Sequence, residues 1–219
     1  MAGDTKERII ETALELFAEK GYPGTSMSDI AKQLGLTKAA LYKHYASKQE
    51  IFDAIVATTA AQYQEFTGRI DIHVQEAGRD FSIFTKISED TLAEKVRQIF
   101  SYSLHDETIS RFRRMMTIEQ FRSPELAALY SERFVDRLLQ YHAAIFKELI
   151  RAGVIQNENP DTLAMMYVTP VITLLGVCDR QPERETESLE KLDRHVRLFY
   201  RMLHTECFAF FMQEKTDSF

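Results

Sequence analysis

Apolar positions recur along this chain at intervals of three and four residues, the period of a helix with one buried face, and they alternate almost nowhere. Ile9, Ile10, Ala13, Leu14 and Phe17 form the first such stripe. It predicts a helix over 4–20, with Asp4 and Glu7 as a capping pair and Gly21 as its stop. Residues 21–25 (GYPGT) have turn composition. A short helix should follow Ser26, whose hydroxyl can cap free backbone N–H groups, burying Ile30, Ala31 and Leu34. Gly35 can adopt the left-handed backbone that closes it, and Leu36 can pack into the angle before the next helix. Thr37 caps that next helix, which is small on its leading face (Ala39, Ala40) and aromatic and basic behind (Leu41, Tyr42, Lys43, His44, Tyr45). Ser47 and Glu50 then make a capping box that opens a long helix through Ile51, Phe52, Ile55 and Val56 to near Phe66.

Beyond Gly68 the pattern weakens. Residues 70–74 alternate like a strand, but one strand without a partner cannot stand, so 68–88 is expected as loop with at most a helical piece. Helical periodicity returns with Leu92, Val96, Ile99 and Phe100, and again, in a helix that Asp106 or Thr108 can start, with Ile109, Phe112, Met115, Met116 and Ile118 on an inward face. Ser123-Pro124-Glu125 starts what should be the longest helix, ending at Gly153. Asn159-Pro160 opens another, with Pro170 expected to kink it. A final helix is expected over 187–213, carrying Leu189, Leu192, Val196, Phe199, Leu203, Phe208 and Phe211. The fold class is therefore all-α: a three-helix, helix-turn-helix head over 1–46 and a larger helical bundle over 47–219, with 47–67 as the connecting helix.

Charge changes this picture. The 219 residues carry a formal charge of −6, yet residues 30–49 hold four lysines (Lys32, Lys38, Lys43, Lys48) and no carboxylate. A local basic patch on an acidic chain suits a module that meets a polyanion. A helix-turn-helix does so by placing its second helix in the major groove of DNA, with neighbouring cations and hydroxyls on phosphates. An enzyme finds little support: the six histidines lack metal-ligand spacing, and there is no glycine-rich phosphate loop or nucleophile elbow. His105-Asp106-Glu107 is expected as a solvated helix end, since consecutive helical residues point apart. No metal or cofactor is expected. Cys178 and Cys207 read as free thiols. The polar start (MAGDTKER) and the interrupted apolar run 164–178, expected as a buried helix, imply a cytoplasmic protein without a membrane partner.

Residues 9–53 resemble the N-terminal domain of the Tet repressor family of bacterial transcription regulators, through Ile9, Ala13, Phe17, Gly21, Ser26, Ile30, Ala31, Gly35, Leu41, Tyr42, His44, Tyr45, Ser47, Lys48 and Ile51. Three departures stand out: Tyr45 for the usual phenylalanine, Ala39 for a common glycine, and Ala40 for a small hydroxyl residue. The last two lie on the base-reading helix and bear on operator choice. The resemblance implies that Thr37, Lys38, Ala39, Ala40 and Lys43 face the groove, while Ser26, Tyr42, His44 and Lys48 hold phosphates. Lys38 and Lys43 could reach guanine O6 and N7. Leu41 and Tyr45 are expected as core, Tyr42 as ring inside and hydroxyl outside, and His44 as a neutral hydrogen-bond donor.

The second half lacks that signature, though Arg151-Ala152-Gly153-Val154-Ile155 followed by Asn159-Pro160 is similar to the family's regulatory domain. There the last two long helices pair with their copies into a four-helix bundle. Both helices here are apolar over more than a narrow stripe, which fits a homodimer. A dimer reads a palindromic operator in double-stranded DNA, its arms roughly 34–36 Å apart. A small-molecule effector is expected in this half, and Phe100, Phe112, Met115, Met116, Tyr130, Phe134, Tyr141, Met165, Met166 and Tyr167 are the candidate lining, although methionines and aromatics at helical spacing also serve as core. Operator, regulated genes, effector and the sign of regulation are not written in the chain. The alternative is an interaction protein of the same fold, governed by a protein partner or without DNA binding.

Overall fold

The computed structural model describes residues 2–73 and 76–204. Its elements are α1 (Ala2–Lys20), α2 (Met27–Gln33), α3 (Lys38–Tyr42), α4 (Lys48–Arg69), α5 (Ala77–Phe84), α6 (Glu89–His105), α7 (Glu107–Glu119), α8 (Pro124–Ser131), a π-helical turn (Glu132–Asp136), α9 (Arg137–Arg151), α10 (Pro160–Arg180), a 3-10 turn (Pro182–Arg184) and α11 (Glu185–His204). Among the described residues there is no strand. By packing the chain divides into two units, 1–70 with 102–136, and 71–101 with the chain from 137 onward.

Local signals place the helix ends. Ser26, Thr37, Ser47, Asp106, Ser123 and Asn159 each accept a hydrogen bond from a backbone N–H three residues on, removing an orphan donor at a helix start. Glu50 reaches back to the N–H of Ala46 rather than of Ser47. Asp106, one of the two expected starts of this helix, is the cap of α7.

In the first unit α1 packs on α2, α4 and α7, α2 on α3, and α7 on α4 and α8. One apolar core runs through it, joining Ile9, Phe17, Ile30, Leu41, Tyr45, Ile51, Phe52 and Ile55 to Phe112, Met115, Met116 and Leu126. Ile118, expected inward, is 52% exposed. The inward row of α7 runs through 112, 115, 116 and 119, and residue 118 falls about 100° away from its neighbour 119. The long helix expected from Pro124 to Ala152 runs without a gap from Pro124 to Arg151, with the π-helical turn within it. Arg133, in that turn, donates to the Val56 carbonyl (3.1 Å) and to Thr59 Oγ1 (2.9 Å).

In the second unit α5 packs on α9, α9 on α10, and α10 on α11. The alternating stretch after Gly68 is a loop with α5 behind it. Ile72 is buried, and His73 donates through its backbone N–H to the fully buried carboxylate of Asp80 (2.6 Å), which also accepts from the Tyr141 hydroxyl. His142, Phe146, Tyr167, His195 and Phe199 form a ring cluster with centroids 5.1–6.4 Å apart. Burial pushes His142 down to about 4, against the carbonyl of Leu138 that holds its Nδ1.

The run 164–178 departs from the expected buried helix. α10 is long and apolar enough to cross a membrane by composition, yet only 28% of its apolar window is covered within the chain. Leu163, Ala164, Tyr167, Val168 and Cys178 face inward, whereas Met165 and Met166 are exposed. Pro170 stays inside the helix. Cys178 is a free buried thiol; Cys207, Phe208, Phe211 and Val74 lie outside the described residues.

Candidate nucleic-acid interface

The helix pair is built from its ends. Ser26 and Asp29 satisfy each other reciprocally: the Asp29 N–H donates to Ser26 Oγ, and the Ser26 N–H donates to Asp29 Oδ2 at 2.8 Å. The Ser26 hydroxyl, which donates to Asp29 Oδ2 at 2.6 Å, and then the Ser26 N–H hold the Asp29 carboxyl below its ordinary range. Leu34 caps α2, and Gly35 at φ +66° turns the chain with the left-handed backbone that its lack of a Cβ permits. The Leu36 N–H returns to the Ala31 carbonyl at 2.9 Å. α3 starts when the Ala40 N–H donates to Thr37 Oγ1 at 3.1 Å. It is only 5 residues long, because Lys43 and His44 close it with tight bonds back to Ala40 and Leu41.

This geometry sorts the candidate residues. Leu41 and Tyr45 are buried, as expected of core. Ser26, Thr37, Lys38, Ala39 and Lys43 are exposed, and Ala40 and His44 are half-buried. Tyr42 is 49% exposed, a ring half inside. Together they give a surface of hydroxyls, methyls and lysine ammonium groups, without a carboxylate over 30–49. Such a surface suits a duplex: cations and hydroxyls for phosphates, and small side chains that permit close approach to base edges.

Lys48 is placed differently from the other lysines. Its Nζ donates to the carbonyls of Tyr22 (2.6 Å) and Thr25 (2.9 Å) and lies 4.3 Å from the centroid of the Tyr22 ring. Partial burial draws its ammonium below the ordinary lysine range, while the charge of Glu119 works the other way. The 21–25 turn that it grips is packed from within: Thr25 Oγ1 bonds the carbonyls of Leu16 and Gly21, and Tyr22 lies edge-on to Phe17 and Phe52 while its hydroxyl donates to Gln49. Gly21, at φ +80°, faces Glu119 and Arg122 so closely that a Cβ would meet Arg122 Nη1 at 2.7 Å and Glu119 Oε1 at 2.9 Å. Sequence reading gave Tyr22 and Thr25 only as turn and missed Glu119 and Arg122. Its one available signal was an acidic residue on the inward row of α7.

The ten candidate pocket residues are not brought into one unit. Phe112, Met115, Met116, Tyr130 and Phe134 belong to or pack on the core shared with the head, while Phe100, Tyr141, Met165, Met166 and Tyr167 belong to the other unit.

Residues 9–55 match the family described as bacterial regulatory proteins, tetR family. Over 47 residues the chain is 51% identical to the biofilm operon icaADBC HTH-type negative transcriptional regulator IcaR of Staphylococcus epidermidis, a match covering 22% of this chain and 25% of that protein. The Staphylococcus aureus IcaR is 49% identical over 51 residues, 23% of this chain and 27% of the relative. The match thus spans about a quarter of the length of these curated relatives. Among solved structures, a TetR-family transcriptional regulator from Mesorhizobium loti superposes with a TM-score of 0.65 at 24% identity, covering 94% of this chain and 99% of that one. The TetR family regulator PfmR of Thermus thermophilus gives 0.57 at 25% identity, covering 90% and 100%. The strong sequence likeness lies in the head, and the likeness of fold extends along most of the chain.

Proposed function

We propose, on the premise that this chain belongs to the Tet repressor family of bacterial regulators through its residues 9–55, that it is a sequence-specific DNA-binding transcriptional repressor, not an enzyme, released from a palindromic operator by a small molecule. One observation carries the reading. The capped α2-turn-α3 pair exposes Thr37, Lys38, Ala39 and Lys43 within a stretch, residues 30–49, that has no carboxylate, in a chain that is acidic elsewhere. Lys38 and Lys43 would read guanine edges, the alanine methyls would pack on thymine methyls, and Ser26, Tyr42 and His44 would grip phosphates beside Lys48.

A single head contacts few phosphates and binds weakly at physiological salt. A homodimer removes that weakness, because the second head binds intramolecularly. The uncovered faces of α10 and α11 support one: Met165 and Met166 on the first, and Leu198 (55% exposed) and Met202 (51%) on the second. The partner on those faces is a second copy.

Release requires an effector that prefers one state of the protein, by its differential affinity. The expected effector is small and apolar or aromatic. Its effect would reach the heads along α4, which is tied within its own unit at several levels. Gln62 donates to Asp106 (2.9 Å), Phe66 stacks on Tyr102 (3.8 Å between centroids), and Arg133 bonds the Val56 carbonyl. The site of action is the cytoplasm, where the operator is.

The test is selection of bound duplexes from a random pool by the purified protein near physiological salt. Recovery of a palindrome is the expected result. No enrichment, even at low salt, would overturn the reading in favour of an interaction protein of the same fold.

A further inference from the structure

Glu119 ends α7 with its side chain 1% exposed; Oε1 accepts from Arg122 Nη1 at 2.9 Å and Oε2 has no hydrogen-bond partner among the described residues. A carboxylate there is doubly unfavourable. Burial strips its hydration, and the C-terminal end of a helix carries the negative pole of the backbone dipoles. A neutral or apolar side chain would fill the place at less cost, so the charge calls for a reason.

Its surroundings supply one. The carboxylate and the Arg122 guanidinium lie against Gly21, leaving no room for a Cβ. The same turn is held by Lys48 through two carbonyls, and Lys48 feels the charge of Glu119. The end of α7, the turn that leads into α2 and the first residue of α4 therefore meet around one buried anion. Gly21 admits that contact only because it has no side chain, and its positive φ sets the turn's direction.

We propose that Glu119 is a positioning residue for DNA binding: with Arg122 it seats the 21–25 turn and holds Lys48 at the start of α4, so that the groove-facing helix pair takes its orientation from the end of α7. This role rests on the DNA-binding reading. It ties the head to α7 within the first unit by a contact separate from the packing of α4.

The test uses the full chain with E119Q, which keeps the shape and removes the charge, and with R122Q, whose exposed side chain can be changed without threatening the fold. Hydrogen exchange read by mass spectrometry is expected to accelerate in peptides covering 21–25 and the start of α4, and not in α6. Affinity for the selected operator should fall about tenfold in E119Q, the scale of one interaction within a coupled network. The slope of log affinity against log salt should stay unchanged, since Glu119 touches no phosphate, whereas K48Q should lower that slope by roughly 0.9 as well as the affinity. The unfolding midpoint of E119Q should hold or rise, because a partly unpaired buried charge has been removed. Unchanged exchange at 21–25 in both variants overturns the seating of the turn. Faster exchange with affinity within about twofold of the parent overturns the role in DNA binding. Failure to recover any operator sinks the DNA-binding reading and this role with it, and the exchange result still separates that failure from failure of the seating itself.

Discussion

His142 illustrates how a single side chain takes its chemistry from its neighbours. On the sequence it is one of six histidines with no partner in view; in the fold its ring lies among Tyr141, Phe146 and Tyr167 and titrates at about 4 instead of 6.5. The folded state holds a proton less tightly than the unfolded chain, so the stability His142 contributes is complete above about pH 6.5 and is lost as pH falls towards 4. Thermal unfolding followed by circular dichroism should show the midpoint falling between about pH 7 and pH 5, and His142→Leu should flatten that dependence. Ser26 is the opposite case, fully legible. A serine just before an apolar stripe is a preferred cap, and Ser26→Ala should destabilise the head by about 1 kcal/mol in urea titration. The same substitution should weaken operator binding, since the N-terminus of α2 loses both its cap and a hydroxyl.

Among the elements, helix boundaries were largely legible and the π-helical turn was not. The caps at Thr37, Ser47, Ser123 and Asn159 lie where the sequence puts them. The π-helical turn carries no such mark, and the Val56 carbonyl that its Arg133 reaches lies 77 residues away. An extra residue in a helical turn re-aims the side chains that follow, and π-helical turns concentrate at functional places for that reason. Arg133→Met removes charge-assisted bonds to Val56 and Thr59 and should cost roughly 1.5–3 kcal/mol in chemical denaturation. If Arg133 also carries the effector's influence to α4, the same variant should bind operator but respond less to the effector. A normal response with lowered stability would confine Arg133 to holding the first unit together.

For the whole molecule, the decisive question is which apolar faces the chain leaves uncovered. The breadth of the apolar pattern on the last two helices suggests a partner, and in the proposed dimer it would sit on the exposed Met165, Met166, Leu198 and Met202. Leu198→Glu combined with Met202→Glu should convert the protein to a monomer in analytical ultracentrifugation. Because two joined heads gain about 10²–10⁴ in effective affinity, operator binding should fall by a factor in that range while each head keeps its fold. A double variant that stays dimeric would place the second copy elsewhere. The run 164–178 shows the limit of hydropathy: it looks interior in a list of residues, but its membership of a core depends on what other helices supply.

What the sequence determined by itself is whatever acts within about four residues: caps, left-handed glycines, turn composition and the helical period, together with the local basic charge of residues 30–49. Helix ends are written there because the groups that satisfy them are neighbours in the chain. What only the tertiary structure decided are the pairings across long separations. Lys48 was legible as a basic residue at a helix start, yet its partners are Tyr22 and Thr25, 26 and 23 residues away, and the anion that acts on it comes from the end of α7. Burial of Glu119, the drop in the pKa of His142 and the reach of Arg133 arise in the same way. Desolvation and Coulomb forces depend on distance in space, and periodicity along the chain records which face turns inward without recording what it will meet.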